Sequence, residues 1–408
     1  LGGALGGGAR TVAGGTGLRE LRGLLVLAEV ALAVLLLAGA GLLIRSFDNL
    51  QRVDVGVQPD RVLTAVLVPP AVRYAEMSHV TAFYDALTER LRRAPGVRNV
   101  ALINNPPVSG GAGYNSFVVE GRPAPAPGEP TPDAQQYVVT PEYFRAVSIP
   151  LRQGRLFTPH DREGAVRVAV INETMARRHF AGADPLGQRI SLNGQDWWTI
   201  VGIVGDTRQE GVSREPYPQL YLPYAQAPRR AMYVILQTTG DPLAAVGTLR
   251  QTVKSLDPEI PVASIAPAQE LIDRSIAQPR VNAVLLGVFA AVALVLAAVG
   301  IYGVLSYAVA QRTREIGVRI ALGAQPADVL RLVVRQGMHP VVLGLILGLV
   351  AALGATRLMQ RLLYGISPGD PATLVTIAVV LTGVAVLASY IPARRAARVD
   401  PTVALRNE

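Results

Sequence analysis

The chain has 408 residues, half of them hydrophobic, with a formal charge of +9 and no cysteine. The missing thiols exclude disulfides, thiol catalysis and cysteine-held metals. Aromatic residues at 5% and the lack of long basic runs argue against nucleic acid as a partner.

The positive charge is almost all arginine, Lys254 being the sole lysine, and it flanks four apolar blocks. Residues 1–22 read as a cytoplasmic Gly-rich linker, and a start at Leu1 points to a fragment or one half of a longer polypeptide. The first transmembrane helix is expected at 23–44, about the 20 residues that a bilayer needs. Arg10, Arg19 and Arg22 ahead of it mark the cytoplasmic side. Glu29 lies inside this span. An intramembrane carboxylate is a functional candidate. At about two turns from the inner end, it can also reach an arginine or water and serve structure alone.

Residues 45–279 form a long Pro- and Gly-rich region with a soluble character. Val62 to Val68 reads as a strand and Ser78 to Arg93 as a helix, with Val80, Phe83, Tyr84 and Leu87 on one face; Val97 to Ile103 is a second strand. The order recurs as strand Met232 to Thr238, a helix from Pro242 to Leu256 capped by Asp241, and strand Val262 to Ile265. Two such units make a ferredoxin-like, split β-α-β domain. Between them, 104–230 reads as a mostly-β insertion, with strands in YNSFVVEG, QQYVVT, VRVAVINE, RISLNG and WWTIVGIVGD and one short helix, Thr174 to Phe180. The expected fold class is therefore an α-helical four-span membrane domain plus an α+β extracytoplasmic domain.

The second span is expected at 281–309, with Gly300 and Gly303 near its inner end, followed by a cytoplasmic segment at 310–339. Within the stretch QRTREIGVRIALGAQP, Arg312, Glu315 and Arg319 share one helical face, and Ile316, Ile320 and Gly323 another. Glu315 precedes Arg319 by four residues, the favourable order for an ion pair. Gly323 supplies a stop, and Pro326 fits the first turn of a new helix. The pattern serves equally well for a rigid knob that docks a partner and for a basic helix lying on anionic lipid.

The third span is expected at 340–358, where Gly344 and Gly348 form a small-xxx-small pair that admits another helix. An external loop at 359–371 and a fourth span at 372–392 lead to a tail, 393–408, held inside by Arg394, Arg395 and Arg398. The charges agree on one topology: both termini cytoplasmic and one large external domain.

No G-x-x-x-x-G-K-[ST] loop is present, so the chain is not expected to hydrolyse ATP by itself. His79, His160, His179 and His339 are too scattered for a metal motif, and no G-x-S-x-G elbow occurs. No catalytic, metal or cofactor-binding residue is expected. Gly202 to Gly205 reads as a turn ending a strand, and His160, Asp161 and Glu163 as solvated loop charges.

TREIGVRIALGA, the Gly-rich third span and the terminal PARRAARVDPTVALR together resemble the MacB/FtsX-type permeases of ABC transporters. The segments VTPEYFRAVSIPLRQGRLFT, VAVINETMARRHFAGADPLGQRI and WWTIVGIVGDTR resemble the periplasmic domain of the same group. The Gly-rich opening is similar to the link between the halves of the duplicated permeases of acidobacteria (ADOP-type). The resemblance implies a permease subunit of an export or efflux system in the bacterial inner membrane. It would work by mechanotransmission, with no cofactor bound directly and ATP used by a separate ABC ATP-binding subunit. It assigns coupling to that ATPase to Arg312, Arg314, Glu315, Ile316, Gly317, Arg319, Ile320, Leu322 and Gly323. Further implied partners are a second permease copy or half, a periplasmic adaptor and membrane lipid, with no nucleic acid. The alternative is an FtsX-like membrane regulator whose periplasmic domain controls an envelope enzyme.

Overall fold

The computed structural model describes residues 13–110, 113–123, 129–311, 315, 318, 325–360, 363–367 and 369–396. The chain divides into two compact units, Leu1–Gln51 with Gln278–Glu408, and Arg52–Ala277.

Among the described residues of the first unit, four helices are long and apolar enough to cross a membrane: α1 (Ala13–Gln51), α7 (Ala277–Gln311), α8 (Pro326–Leu358) and α9 (Pro371–Ala396). Each outruns the span expected for it. Residues 13–22, expected as linker, already belong to α1; Leu18, Arg19 and Glu20 favour helix there, while Gly14, Gly15 and Gly17 each disfavour it by about 1 kcal/mol. Pro340, expected to open the third span, lies inside α8. Val26, Val30, Ala33, Val34 and Ala38 of α1 meet Ile301 and Leu305 of α7, Val333 and Val341 of α8, and Leu381 and Ala385 of α9 in one core. On α7 only a narrow stripe is buried, Ala283, Ala290, Ala297, Ile301 and Leu305. Its other faces leave Leu285, Phe289 and Leu296 exposed, as lipid-facing side chains are.

The second unit opens with β1 (Val62–Leu67), α2 (Met77–Arg92) and β2 (Val97–Ile103). The inserted block holds β3 (Tyr114–Ser116), β4 (Val118–Val119), β5 (Asp133–Val139), α3 (Tyr143–Ala146), β6 (Leu151–Gly154) and β7 (Val168–Asn172). It continues through α4 (Glu173–His179), β8 (Arg189–Ser191), β9 (Trp197–Val204) and β10 (Gln219–Pro223). The host resumes with β11 (Met232–Thr238), α5 (Ala245–Leu256), β12 (Val262–Pro267) and α6 (Ala268–Ser275).

The strands make one sheet in the order β12-β1-β11-β2-β5-β10-β7-β9-β8-β4, with β3 on β5 and β6 on β9. The host strands β12, β1, β11 and β2 are antiparallel throughout, the order and sense of the split β-α-β domain read from the sequence. The insertion extends the β2 edge through a single pair, Ile103 opposite Val139. Beyond that point the sheet is mixed, with β5 parallel to β10 and β7 parallel to β9.

Successive residues of the host strands point to opposite faces and load both faces of this sheet. Leu63, Ala65 and Leu67 of β1 join Val80, Phe83, Tyr84, Leu87 and Leu91 of α2 and Leu249 and Val253 of α5. Val62, Ala101 and Ile103 point the other way, into Tyr137, Tyr143, Phe144, Phe157 and Tyr221. Burying one such large side chain contributes about 1.5–3 kcal/mol. Tyr84 sits at the junction of β1 and the β11 approach, its hydroxyl within bonding distance of the Leu67 and Arg230 carbonyls at 2.9 and 2.8 Å.

Candidate functional site

Of the proposed coupling residues, Glu315 lies among the described ones, helical and exposed, as is neighbouring Val318. Arg312, Arg314, Ile316, Gly317, Arg319, Ile320, Leu322 and Gly323 lie outside the described residues. The segment is bounded by the end of α7 at Gln311 and by Pro326 at the first position of α8. The Gln325 backbone N–H donates to Asp328 Oδ2 at 3.3 Å, which fixes the start of α8.

Gly344 and Gly348 line the contact of α8 with α1. A Cβ on Gly344 would stand 2.8 Å from the Leu27 carbonyl oxygen and 2.9 Å from Val30 Cβ. One on Gly348 would stand 2.6 Å from Val34 Cβ and 3.0 Å from the Ala31 backbone. Only glycine lets the two backbones come so close. At the other end of α1, Arg45 pairs with Asp370, and Tyr364 N–H donates to Ser46 Oγ at 2.8 Å. These contacts tie the connection between α8 and α9 to α1.

Glu29 faces α7 at a glycine. A Cβ on Gly300 would fall 1.9 Å from Glu29 Oε2, so the carboxylate occupies a notch that any side chain would close. Among the described residues Oε2 is buried and has no hydrogen-bond partner. Beside it runs a groove of about 380 Å³ lined by Leu25, Val26, Gly300, Gly303, Val304 and Tyr307. Reading the spans one at a time singles out the carboxylate and the two glycines; what it cannot reveal is that they come from two helices and meet.

In the second unit, the expected short helix is α4, shifted one residue earlier, with Asn172 as its cap. Asn172 Oδ1 accepts from Met175 N–H at 2.9 Å, and Asn172 is fully buried. Two readings of the loops are corrected. Gly202 and Val204 lie within β9, not in a turn; a Cβ on Gly202 would meet the Arg155 carbonyl at 2.1 Å, so this glycine serves a close crossing of chains. Asp161 is not a solvated charge. It is 7% exposed and takes Arg155 Nη1 at 2.8 Å, Arg155 Nη2 at 2.9 Å and Thr158 N–H at 2.8 Å. Burial alone would raise its carboxyl, but the Arg155 and Thr158 hydrogen bonds and the Arg155 charge outweigh it and hold the group below its usual range.

Trp198 is buried under the Arg167 guanidinium, 5.4 Å from the ring centroid. The His179 ring stands edge-on to Phe117, and burial, then the charge of Arg178, lowers its affinity for a proton. Tyr74 donates to Asp257 at 2.9 Å, and burial together with that bond pushes its hydroxyl up to about 12. Among the described residues no three acidic or histidine side chains gather as metal ligands. Among the described residues the surface of this unit carries ion pairs such as Arg73–Asp257, Arg92–Glu142 and Arg177–Asp206.

Residues 25–252 match the MacB-like periplasmic core domain, and residues 287–401 match the FtsX-like permease C-terminal domain. The pyoverdine export ATP-binding/permease protein PvdT of Pseudomonas syringae pv. tomato is 28% identical over 64% of this chain and 40% of its own length. The macrolide export ATP-binding/permease protein MacB of Wolinella succinogenes is 27% identical over 64% of this chain and 41% of its own. The chain thus spans about two fifths of the length of the curated relatives it matches. Among solved structures, the periplasmic region of MacB from Actinobacillus actinomycetemcomitans aligns with 54% of this chain and 94% of its own, at 18% identity and a TM-score of 0.37.

Proposed function

The chain belongs to the MacB-like periplasmic core domain family, and on that premise we propose that it is the permease part of an ABC-type export system. The observation that carries this reading is the pairing, in one chain, of that domain with an FtsX-like permease domain over four membrane-length helices. ATP is hydrolysed by a separate ATP-binding subunit, and no cofactor is held by the chain itself. Export relatives such as PvdT and MacB, each named as a single ATP-binding/permease protein, support ATP as the source of energy. The chain resides in the bacterial inner membrane with the Arg52–Ala277 unit in the periplasm and both termini in the cytoplasm, in accord with the arginines that flank the spans.

In this reading the stretch between α7 and α8 is the coupling site. Its amphipathic pattern and the exposure of Glu315 and Val318 suit a surface that a partner covers. Closure of the ATP-binding pair pushes on α7 and α8, and the periplasmic unit changes posture without cargo threading the bilayer. A second permease copy or half completes the assembly.

The experiment is co-purification from native membranes, followed by ATPase assay. Recovery of a P-loop ATPase whose hydrolysis rises with this chain is expected. Glu315→Ala with Arg319→Ala should abolish that stimulation while expression and insertion persist. Unchanged stimulation in the double variant removes the coupling site; recovery of a cell-wall enzyme in place of an ATPase removes export.

A further inference from the structure

We infer that residues 55–61, which carry the chain from α1 into the second unit, form a strained latch. The insertion grips them in one arrangement, and a second, relaxed arrangement becomes available once the grip is broken. The inference rests on the export reading only for what would displace α1.

The grip comes mainly from the insertion. Arg208 N–H donates to the Val55 carbonyl and Gln58 N–H to the Val147 carbonyl, both at 3.0 Å. Between them Gly56, at φ +76°, lies so near the insertion that a Cβ would stand 2.1 Å from the Asp206 carbonyl oxygen. The gripping loop is itself fixed. Gln219 Nε2 donates to the Thr207 carbonyl at 2.8 Å, and Asp206 Oδ1 accepts from Thr174 N–H at 2.7 Å.

Strain gathers at the same place. Among the described residues, four that are not glycine have a positive φ: Arg61 at 59°, Val108 at 64°, Ser148 at 62° and Ser264 at 48°. The first three surround the latch. Arg61 ends it, Ser148 follows the Val147 that holds Gln58, and Val108 N–H donates to the Arg208 carbonyl at 3.2 Å. A single left-handed arginine or serine is an ordinary turn, but a β-branched valine there is an outlier. Val108 is also buried, so its neighbours impose the conformation, and such strain lasts only while they do.

The latch has room to move on its other side. Val57 and Pro59 border an apolar gap of about 20 Å³ with Pro106, Val108, Leu271 and Ile272. That volume is far below that of a ligand site, so it is slack in the packing. α6, which supplies Leu271 and Ile272 and leads into α7, buries no residue fully. A firm grip on one side, slack on the other and a strained valine beside both are the ingredients of an element with two packings. The covalent chain carries any displacement of α1 straight into it.

The test uses the full chain in nanodiscs. Val108→Ala and Val108→Gly both remove the buried methyls, but only glycine takes the left-handed backbone without strain. Melting should therefore place the glycine variant above the alanine variant, the reverse of their usual order. Gly56→Ala should raise hydrogen exchange at the Gln58 and Arg208 amides by about ten-fold or more, whereas Gly96→Ala, at φ +80° with nothing within 4 Å of its Cβ, should not. In the Gly56→Ala background the advantage of glycine at position 108 should vanish, because the broken grip has already relaxed the strain. Alanine equal to or above glycine at position 108 overturns the proposal, even where Gly56→Ala fails to fold. Equal exchange in the Gly56 and Gly96 variants overturns it too, as does a glycine advantage that persists without the grip. With a partner ATPase present, ATP should raise exchange at the same two amides of the unaltered chain. Loss of that rise alone, with the other results intact, counts against the drive from ATP and not against the latch.

Discussion

Asn172 Oδ1 accepts two backbone N–H groups, from Met175 at 2.9 Å and from Gln219 at 2.9 Å, and so joins the cap of α4 to the start of β10. The same side chain donates through Nδ2 to the Tyr217 carbonyl at 2.9 Å. One buried amide thus closes the corner where a strand, a helix and a returning strand meet.

Asn172→Ala should therefore cost more than an ordinary cap. It leaves two N–H groups without their acceptor, a loss of about 2–4 kcal/mol. Thermal unfolding of the full chain should show a clear fall in midpoint. Asn172→Asp keeps the acceptor, loses the donor, and should fall in between. Equal midpoints for Ala and wild type would refute this account.

The seam between α1 and α8 is tested by glycine position. Gly348→Ala should destabilise by about 1–3 kcal/mol, the cost of overpacking, since its Cβ would stand 2.6 Å from Val34 Cβ. Gly354→Ala on the same helix meets nothing within 4 Å and should be neutral or slightly stabilising. Melting in detergent separates the two, and a reversal of their order would remove the seam.

Acid should act on the Arg155–Asp161 pair. Asp161 has its folded proton affinity depressed, so its stabilising effect is present above the ordinary carboxylate pKa of about 3.9 and is lost as pH falls through the lower folded value. Asp161→Asn should flatten that acid limb of the stability curve and lower the plateau above it. Parallel curves for the two proteins would show that the pair contributes nothing.

Orientation can be read chemically because the chain has no cysteine of its own. Ser213→Cys and Gln311→Cys each place one thiol at an exposed position. An impermeant maleimide should label position 213 in intact spheroplasts and position 311 only after lysis. Labelling of both before lysis would contradict the inner-membrane topology.

The host sheet was legible because its strands and helices carry separate periods. Val80, Phe83, Tyr84 and Leu87 recur at helical spacing and are all buried on α2, and β2 and β11 span the residues expected for them. The missed elements lack such patterns. β10 is buried at all five positions and so shows no alternation. β6 is exposed at all four and is a strand only because β9 pairs with it. α6 buries no residue fully, and α3 is a single turn.

Strand order in the insertion was equally hidden, since side-chain periodicity reports a face and not a neighbour. At the candidate sites, the glycines of α8 announced a close approach, but their counterparts on α1, Leu27, Val30, Ala31 and Val34, have no special spelling. The burial of Asp161 depends on Arg155, six residues earlier and placed by a turn; a window of local composition sees only two charges in a loop.

The pairing of β1 with β11 also bears on how the second unit assembles. Thr238 Oγ1 donates to the Arg61 carbonyl across 177 residues of chain, so the central β1–β11 pairing closes a long loop. An unstructured loop of that length would cost about 4–5 kcal/mol to close, a cost that a compact insertion reduces. During synthesis, β1 and β2 therefore remain without their mutual neighbour β11 until nearly the whole unit has been made. A nascent chain cut short before Met232 would leave both strands without β11, with open edges ready to pair with another chain.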